Sequence, residues 1–246
     1  MGEEKNKVTN PELKQSVRLP QRMPLTRNLR RPTEYVQMLN GEFSKWAFNE
    51  ERAPLLKGKW REQVFEVPAT HGLDLEIGTG SGNHFAHLAA KNPDRSLVGI
   101  ELKFKPLIQS IRRAVRAGSV NARILRYDAS LLEHLFAAGE LNNVYIHHPD
   151  PWPKKRSWKH RLIQDLFLES LFGLMQPGSY VEFKTDSRDY FDWSVEHFKR
   201  SKFDLTRVTW NLHQSEWKDE NFVTQFEDLF LKQGLPIHYA RLVRPC

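Results

Sequence analysis

The run Leu73-Asp74-Leu75-Glu76-Ile77-Gly78-Thr79-Gly80-Ser81-Gly82 constrains this chain most: an apolar strand runs into an acidic residue and then three glycines at alternate positions. Glycine has no Cβ, so backbone there can turn sharply and approach a ligand closely. The helix expected to open near Asn83 would point unpaired N–H groups at the bound molecule. Dinucleotides and S-adenosylmethionine both suit such a turn. The dinucleotide fingerprint is G-x-G-x-x-G, whereas this chain has G-x-G-x-G with Asn83 where the last glycine should fall. Glu76 in the turn would also repel a pyrophosphate. S-adenosylmethionine has no phosphate, and its sulfonium and ammonium attract a carboxylate. The pattern favours the methyl donor; a glycine-rich turn without a ligand is the bland alternative.

Two further strand ends repeat the theme. After a helical run from His84 to Lys91, Ser96-Leu97-Val98-Gly99-Ile100 reads as a buried strand that ends at Glu101, nineteen residues past Gly82. An acid at that place can accept hydrogen bonds from both ribose hydroxyls of an adenosine. A third strand, Ala122 to Tyr127, ends at Asp128, where a carboxylate or backbone group would meet the adenine edge. A fourth, Leu141 to Ile146, runs through His147-His148 into Pro149-Asp150-Pro151-Trp152. The two prolines fix φ on either side of Asp150. In doubly wound sheets ligands lie at the carboxyl ends of strands, so Asp150 is expected in the same crevice as the glycines. The alternative is a rigid turn whose Asp caps a helix.

The net charge of +7 concerns partners more than fold. Residues 1–31 hold eight Lys or Arg against three Glu, with prolines and no apolar periodicity, so residues 1–35 read as a flexible basic arm and 36–246 as one enzyme domain. Between Glu101 and Asp128 lie seven basic residues and no acid. Leu107, Ile108, Ile111 and Val115 there mark the apolar stripe of a helix that presents Arg112, Arg113 and Arg116 outward. A third run, Lys154-Lys155-Arg156-Ser157-Trp158-Lys159-His160-Arg161, mixes cations with an aromatic directly after Asp150. Lys155, Arg156, Lys159 and Arg161 therefore read as RNA or DNA contacts, since phosphates and a stacked base suit such a run.

No apolar run reaches membrane-spanning length, and a cytosolic protein is expected, with a monomer favoured. The one cysteine, Cys246, excludes an internal disulfide. His84 with His87, and His147 with His148, lack a third ligand at useful spacing, so no metal is expected; helix-surface and strand-end roles are expected for them instead. Thr224 and Glu227 have the spacing of a helix capping box, which leaves room for a ligand-facing role as well. Leu162, Ile163, Leu166, Phe167 and Phe172 read as the buried stripe of another helix, Tyr180 to Lys184 as a fifth strand, and Phe203 to Trp210 as an outer strand.

In order along the chain, Leu75-Glu76-Ile77-Gly78, Gly99-Ile100-Glu101, Asp128-Ala129, Pro149-Asp150-Pro151-Trp152, Thr185-Asp186 and Thr224-Gln225-Phe226-Glu227 resemble the bacterial tRNA (guanine-N7)-methyltransferase family over about residues 70–242. The resemblance implies an α/β fold of the Rossmann-like class I S-adenosylmethionine-dependent type, with a mostly parallel, doubly wound sheet and helices on both faces. It implies that Glu76, Gly78, Gly80, Gly82, Glu101, Asp128 and Asp150 border the cofactor and that Asp150 is catalytic. Lys154, Asp186, Thr224 and Glu227 would hold the substrate, a guanine of the tRNA variable loop. This chain departs from the family in His147 and His148, which stand where bulky apolar residues are usual, and in Ser157 and His160, which replace a commoner His and Arg; RNA contacts are what these changes put in question. Two other readings stay open: a methyltransferase for another RNA nucleobase, and an RNA-binding module that keeps the pocket without activity.

Overall fold

The computed structural model describes residues 32–246; the basic run 1–31 lies outside them. Eight strands form one sheet in the order β1-β4-β3-β2-β5-β6-β8-β7. They are β1 (Ala47–Phe48), β2 (Leu73–Ile77), β3 (Ser96–Ile100), β4 (Ala122–Leu125), β5 (Val144–His147), β6 (Tyr180–Thr185), β7 (Asp204–Thr209) and β8 (His238–Val243). All pairings from β1 through β6 are parallel, and β8 pairs antiparallel with both β6 and β7. The chain builds outward from β2 to β3 and β4, then returns to place β5 on the other side of β2, so the winding reverses between β2 and β5. Strands β1 and β8 were not foreseen from the sequence: β1 is two residues long and β8 carries His238 and Arg241 within its apolar run.

Among the described residues six α-helices flank the sheet: α1 (Thr33–Asn40), α2 (Asn83–Lys91), α3 (Phe104–Arg116), α4 (Asp165–Leu174), α5 (Arg188–Arg200) and α6 (Gln225–Lys232). One core packs α1, α2 and α3 through Leu39, Phe85, Leu88, Leu107, Ile108 and Ile111 against Leu97 and Ile124. The other packs α4 and α5 through Phe167, Leu171, Phe191 and Phe198 against Leu73, Leu75, Ile77, Val144 and Phe183. Alternate β2 residues serve the two faces, because strand side chains point to opposite sides in turn. Its apolar residues join the α4–α5 core, which sends Asp74 and Glu76 toward α2. Asp74, 3 % exposed, is tied by Arg95 through Nε at 2.7 Å and Nη2 at 2.5 Å. It is a structural acid.

Several expectations shift. Helix α1 starts at Thr33, ahead of the boundary drawn at 36, because Tyr35, Val36 and Leu39 find an apolar seat beside α3. Leu166 is 82 % exposed rather than core-facing, since α4 begins only at Asp165 and buries Phe167, Leu168, Leu171 and Leu174. In α3 the arginines do face outward, while Val115 at the end of the stripe is exposed.

Gly82 shows how tightly α3 packs on the glycine turn. It caps α2 at φ 82°, and a Cβ there would fall 2.5 Å from the Cα of Ser110 on α3. Gly82→Ala is expected to lower the thermal midpoint by about 4 °C or more, from the left-handed backbone alone before the clash is added; a melting curve checks it.

Candidate functional site

At the carboxyl ends of the parallel strands, where the winding reverses, lies a cavity of about 390 Å³. Glu76, Gly78, Gly80, Glu101, Asp128, Asp150 and Thr224 all line it. Gly78 sits at φ 76°, and a Cβ built on it would meet nothing within 4 Å, so this position is open toward a ligand as well as restricted in backbone.

The acids are held in different ways. Glu76, 3 % exposed, places Oε2 2.9 Å from Nδ1 of His84 on α2. Glu101 accepts from the Gly80 N–H at 3.0 Å through one oxygen and from the Lys103 N–H at 2.9 Å through the other. It thereby ties the glycine turn to the start of α3. Burial pushes the Glu101 carboxyl above its ordinary value, against those two backbone bonds. Asp128 caps the short helical stretch Ala129–His134, with Oδ1 accepting from Ser130 N at 2.9 Å and Ser130 Oγ at 2.8 Å. Asp150 is exposed on a turn bracketed by two non-glycine residues of positive φ, His148 at 49° and Trp152 at 45°. Such backbone persists only where surroundings enforce it. Here His148 N–H bonds Lys184 O at 2.8 Å on one side, and Arg161 Nε donates to Pro151 O at 2.9 Å on the other.

Residues 71–240 match the family described as "Putative methyltransferase". A tRNA (guanine-N(7)-)-methyltransferase of Bdellovibrio bacteriovorus is 52 % identical over 204 residues, covering 83 % of this chain and 98 % of that one. Another, of Lachnoclostridium phytofermentans, is 37 % identical and covers 74 % of this chain and 84 % of its own. The chain belongs to the tRNA (guanine-N7)-methyltransferase family. Among solved structures, the 16S rRNA methyltransferase KamB superposes with a TM-score of 0.56 at 15 % identity, covering 74 % of this chain and 93 % of that one. The antibiotic-resistance methyltransferase Kmr gives 0.53 at 18 %, with 76 % and 94 % covered. These two share the class I methyltransferase fold.

Within this family member, other residues singled out from sequence take different places. Gly82 is off the cavity and serves helix packing. Asp186 lies behind it, with Oδ1 3.4 Å from His148 Nδ1; burial raises its carboxyl, but the His148 contact holds it below the ordinary value. Glu227 is fully buried and does not reach the cavity. It closes a capping box with Thr224 and its oxygens meet Lys184 Nζ at 3.0 Å, His213 Nε2 at 2.8 Å and Asn221 Nδ2 at 2.6 Å. With its oxygens so occupied, a direct substrate contact is not what this carboxylate makes. Lys154, Lys155, Arg156 and Lys159 are exposed on the segment after Trp152.

Arg161 is a correction. It is 2 % exposed and its guanidinium lies 4.4 Å from the Trp158 ring, 5.0 Å from Tyr190 and 5.3 Å from Trp193. The aromatics draw the cation inward and away from any phosphate, so it braces the Asp150 turn instead of touching RNA. His84 is a second correction: it is buried, 4.4 Å in ring separation from His147, and lines the cavity rather than the helix surface. No local pattern marks it, because its meeting with Glu76 spans the whole glycine turn.

The two histidines that depart from the family pattern also line the cavity. His147 bonds Glu182 Oε1 at 3.1 Å through Nε2, while burial holds its imidazole well below the usual value and so neutral. His147 Nδ1 and His148 Nε2 have no protein partner. Lys103 and Tyr127 also line the cavity without having been assigned to it from the sequence, as does Phe226 of the Thr224–Glu227 segment. Among the described residues no group of three or more His, Cys, Asp or Glu side chains is placed to hold a metal ion, and no helix is long and apolar enough to cross a membrane.

The Lys184–Glu227 pair, 1 % and 0 % exposed at the side chains, joins β6 to α6. Lys184→Met is expected to destabilise the protein by about 3 kcal/mol because Glu227 would keep its charge without its main counter-ion; urea unfolding measures it.

Proposed function

We propose that this chain transfers a methyl group from S-adenosylmethionine to N7 of a guanine in the variable loop of tRNA. The observation that carries the reading is the convergence of Glu76, Glu101, Asp128 and Asp150 on one cavity beside the glycine turn. The donor set fits this cofactor. Glu101 keeps lone pairs for two ribose hydroxyls, the open face of Gly78 admits close approach, and buried Glu76 supplies negative charge for a cationic ligand. When bound, S-adenosylmethionine supplies an electrophilic methyl group.

The protein's own task is modest in covalent terms and demanding in electrostatic ones. Guanine N7 has a free lone pair and no proton, so no general base is needed. Methylation leaves the purine positively charged, and a carboxylate fixed beside the base stabilises that growing charge. Asp150 suits this role because the braced turn holds its carboxylate on the cavity wall. It also accepts hydrogen bonds from the guanine ring N–H and exocyclic amine, which orients N7 toward the methyl group. Thr224 lines the same cavity and can share in holding the base, while Asp186 acts on that end through His148. Lys154, Lys155, Arg156 and Lys159 follow directly on the chain and offer charges for the flanking phosphates. The tRNA named for the relatives agrees with this basic surface.

Two outcomes test the reading. Asp150→Asn should keep donor affinity within a few-fold while turnover on unmodified tRNA falls roughly a hundredfold or more; nucleoside mass spectrometry identifies the methylated atom, and near-normal N7 methylation by the variant refutes the assignment. Donor affinity should also depend on pH through Glu101. Ribose hydroxyls bind its ionised form, and burial raises its pKa, so affinity is constant at neutral pH and weakens as pH falls through a point above the ordinary carboxylate value. Calorimetry across pH should show this for the wild type and a flat profile for Glu101→Gln.

A further inference from the structure

Helix α6 packs inward through Phe230 and Leu231 on the cluster of Leu212, Ile237 and Tyr239, but its inner face also carries a charge. It buries a glutamate, Glu227, while Phe226 is 56 % and Leu229 50 % exposed. Lys184, Asn221 and His213 claim Glu227 for the interior, and with that rotation Phe226 and Leu229 stand outward. These two residues face a groove about 970 Å³ in volume whose opposite wall is α3, carrying Arg112, Arg113 and Arg116. Lys232 adds a cation on the α6 side and is paired with Asp228 at 2.6 Å, so the groove keeps the three arginines as its excess charge.

The groove is continuous with the cofactor cavity. Gly80, Ser81, Pro106, Gln225 and Phe226 border both. Arg113 is fastened at the junction, its Nε donating to Ser81 O at 3.2 Å. Arg112 and Arg116 lie one helical turn apart on the same wall and so form a row along the groove. Arg112 also leans over Phe43 at 6.0 Å. A positive row facing an exposed aromatic is the combination that single-stranded nucleic acid uses, with phosphates on the cations and a base on the ring.

We propose that this groove between α3 and α6 seats the RNA strand next to the target guanine, its phosphates along Arg112, Arg113 and Arg116, and that Phe226 is the aromatic step on which the base stacks as it enters the cavity. The proposal rests on the reading of the chain as an RNA methyltransferase and adds where the strand lies. It assigns the exposed Phe226 and Leu229 to an RNA contact, which explains an apolar surface standing opposite a cationic one. It also makes α6 a shared wall: one side of Phe226 belongs to the donor cavity and the other to the RNA.

The full-length protein and an unmodified tRNA transcript serve for the test, with fluorescence anisotropy over a salt series, steady-state methylation and donor calorimetry. The double variant Arg112→Gln/Arg116→Gln should weaken tRNA binding and raise KM for tRNA about tenfold, and lower the slope of log affinity against log salt by about 0.7–0.9 per arginine removed. Turnover at saturating tRNA and donor affinity should stay near wild type. Phe226→Ala should lower kcat/KM for tRNA about tenfold or more, with Phe226→Tyr restoring it and Phe226→Leu not, because stacking needs a ring face. A wild-type salt slope in the double variant, or full rescue by Leu at 226, overturns the groove assignment while wild-type N7 methylation leaves the enzymatic reading intact. Wild-type protein that binds tRNA with the arginine-dependent slope yet transfers no methyl group overturns the enzymatic reading and leaves the groove standing.

Discussion

Six parallel strands open at one edge of the sheet, and the winding reverses between β2 and β5, so the backbones leaving these two neighbours diverge. That divergence makes room for the cavity and aims the segments beginning at Gly78 and His148 at the same space. Adjacent registration of Ile77 with Ile146 fixes their separation at one strand spacing. Residues distant in sequence, Glu76 and Asp150 among them, meet because of this reversal.

Burying so many acids in and beside the sheet requires compensation, since a buried carboxylate without a partner is costly. Asp74 has Arg95, Glu76 has His84, Glu182 has Arg241, and Glu227 has Lys184. Glu101 has backbone N–H donors instead. The carboxylate left exposed at the cavity is Asp150, which is consistent with a group whose partner arrives as substrate. Rigidity at that point comes from the prolines on either side and from the guanidinium of Arg161 beneath them. The left-handed backbone at His148 and Trp152 shows that the turn is held against its local preference.

Helix α6 illustrates how one polar contact can set the surface of a whole element. Glu227 sits at the third position of the helix, where its carboxylate completes the cap, and the same carboxylate is drawn into the core by Lys184. Cap and ion pair together fix the rotation of the helix. With the rotation fixed, Phe226 has to stand at the rim of the cavity and Leu229 beside it, opposite the arginines of α3. The apolar wall of the groove thus originates in a buried pair on the other side of the helix, while its charge comes from the arginines of α3.

The sequence by itself determined the strand-turn-helix with its glycines, the acids at the ends of β2, β3 and β4, and the outward arginines of α3. Each of these follows from local periodicity, from the absence of a Cβ or from a charge placed at a strand end. It also carried the capping box of Thr224 and Glu227, a contact between residues three apart. Only the tertiary structure decided which cations meet solvent and which are buried. Arg161 and Arg156 look alike in a basic run, but Trp158 of the run itself and Tyr190 and Trp193 of the distant α5 enclose the first and leave the second exposed. The same holds for His84, whose burial depends on Glu76 and His147 arriving from separate strands, and for Phe226, whose exposure depends on Lys184. Local pattern specifies what a segment becomes, whereas desolvation and pairing depend on neighbours brought in by the whole fold.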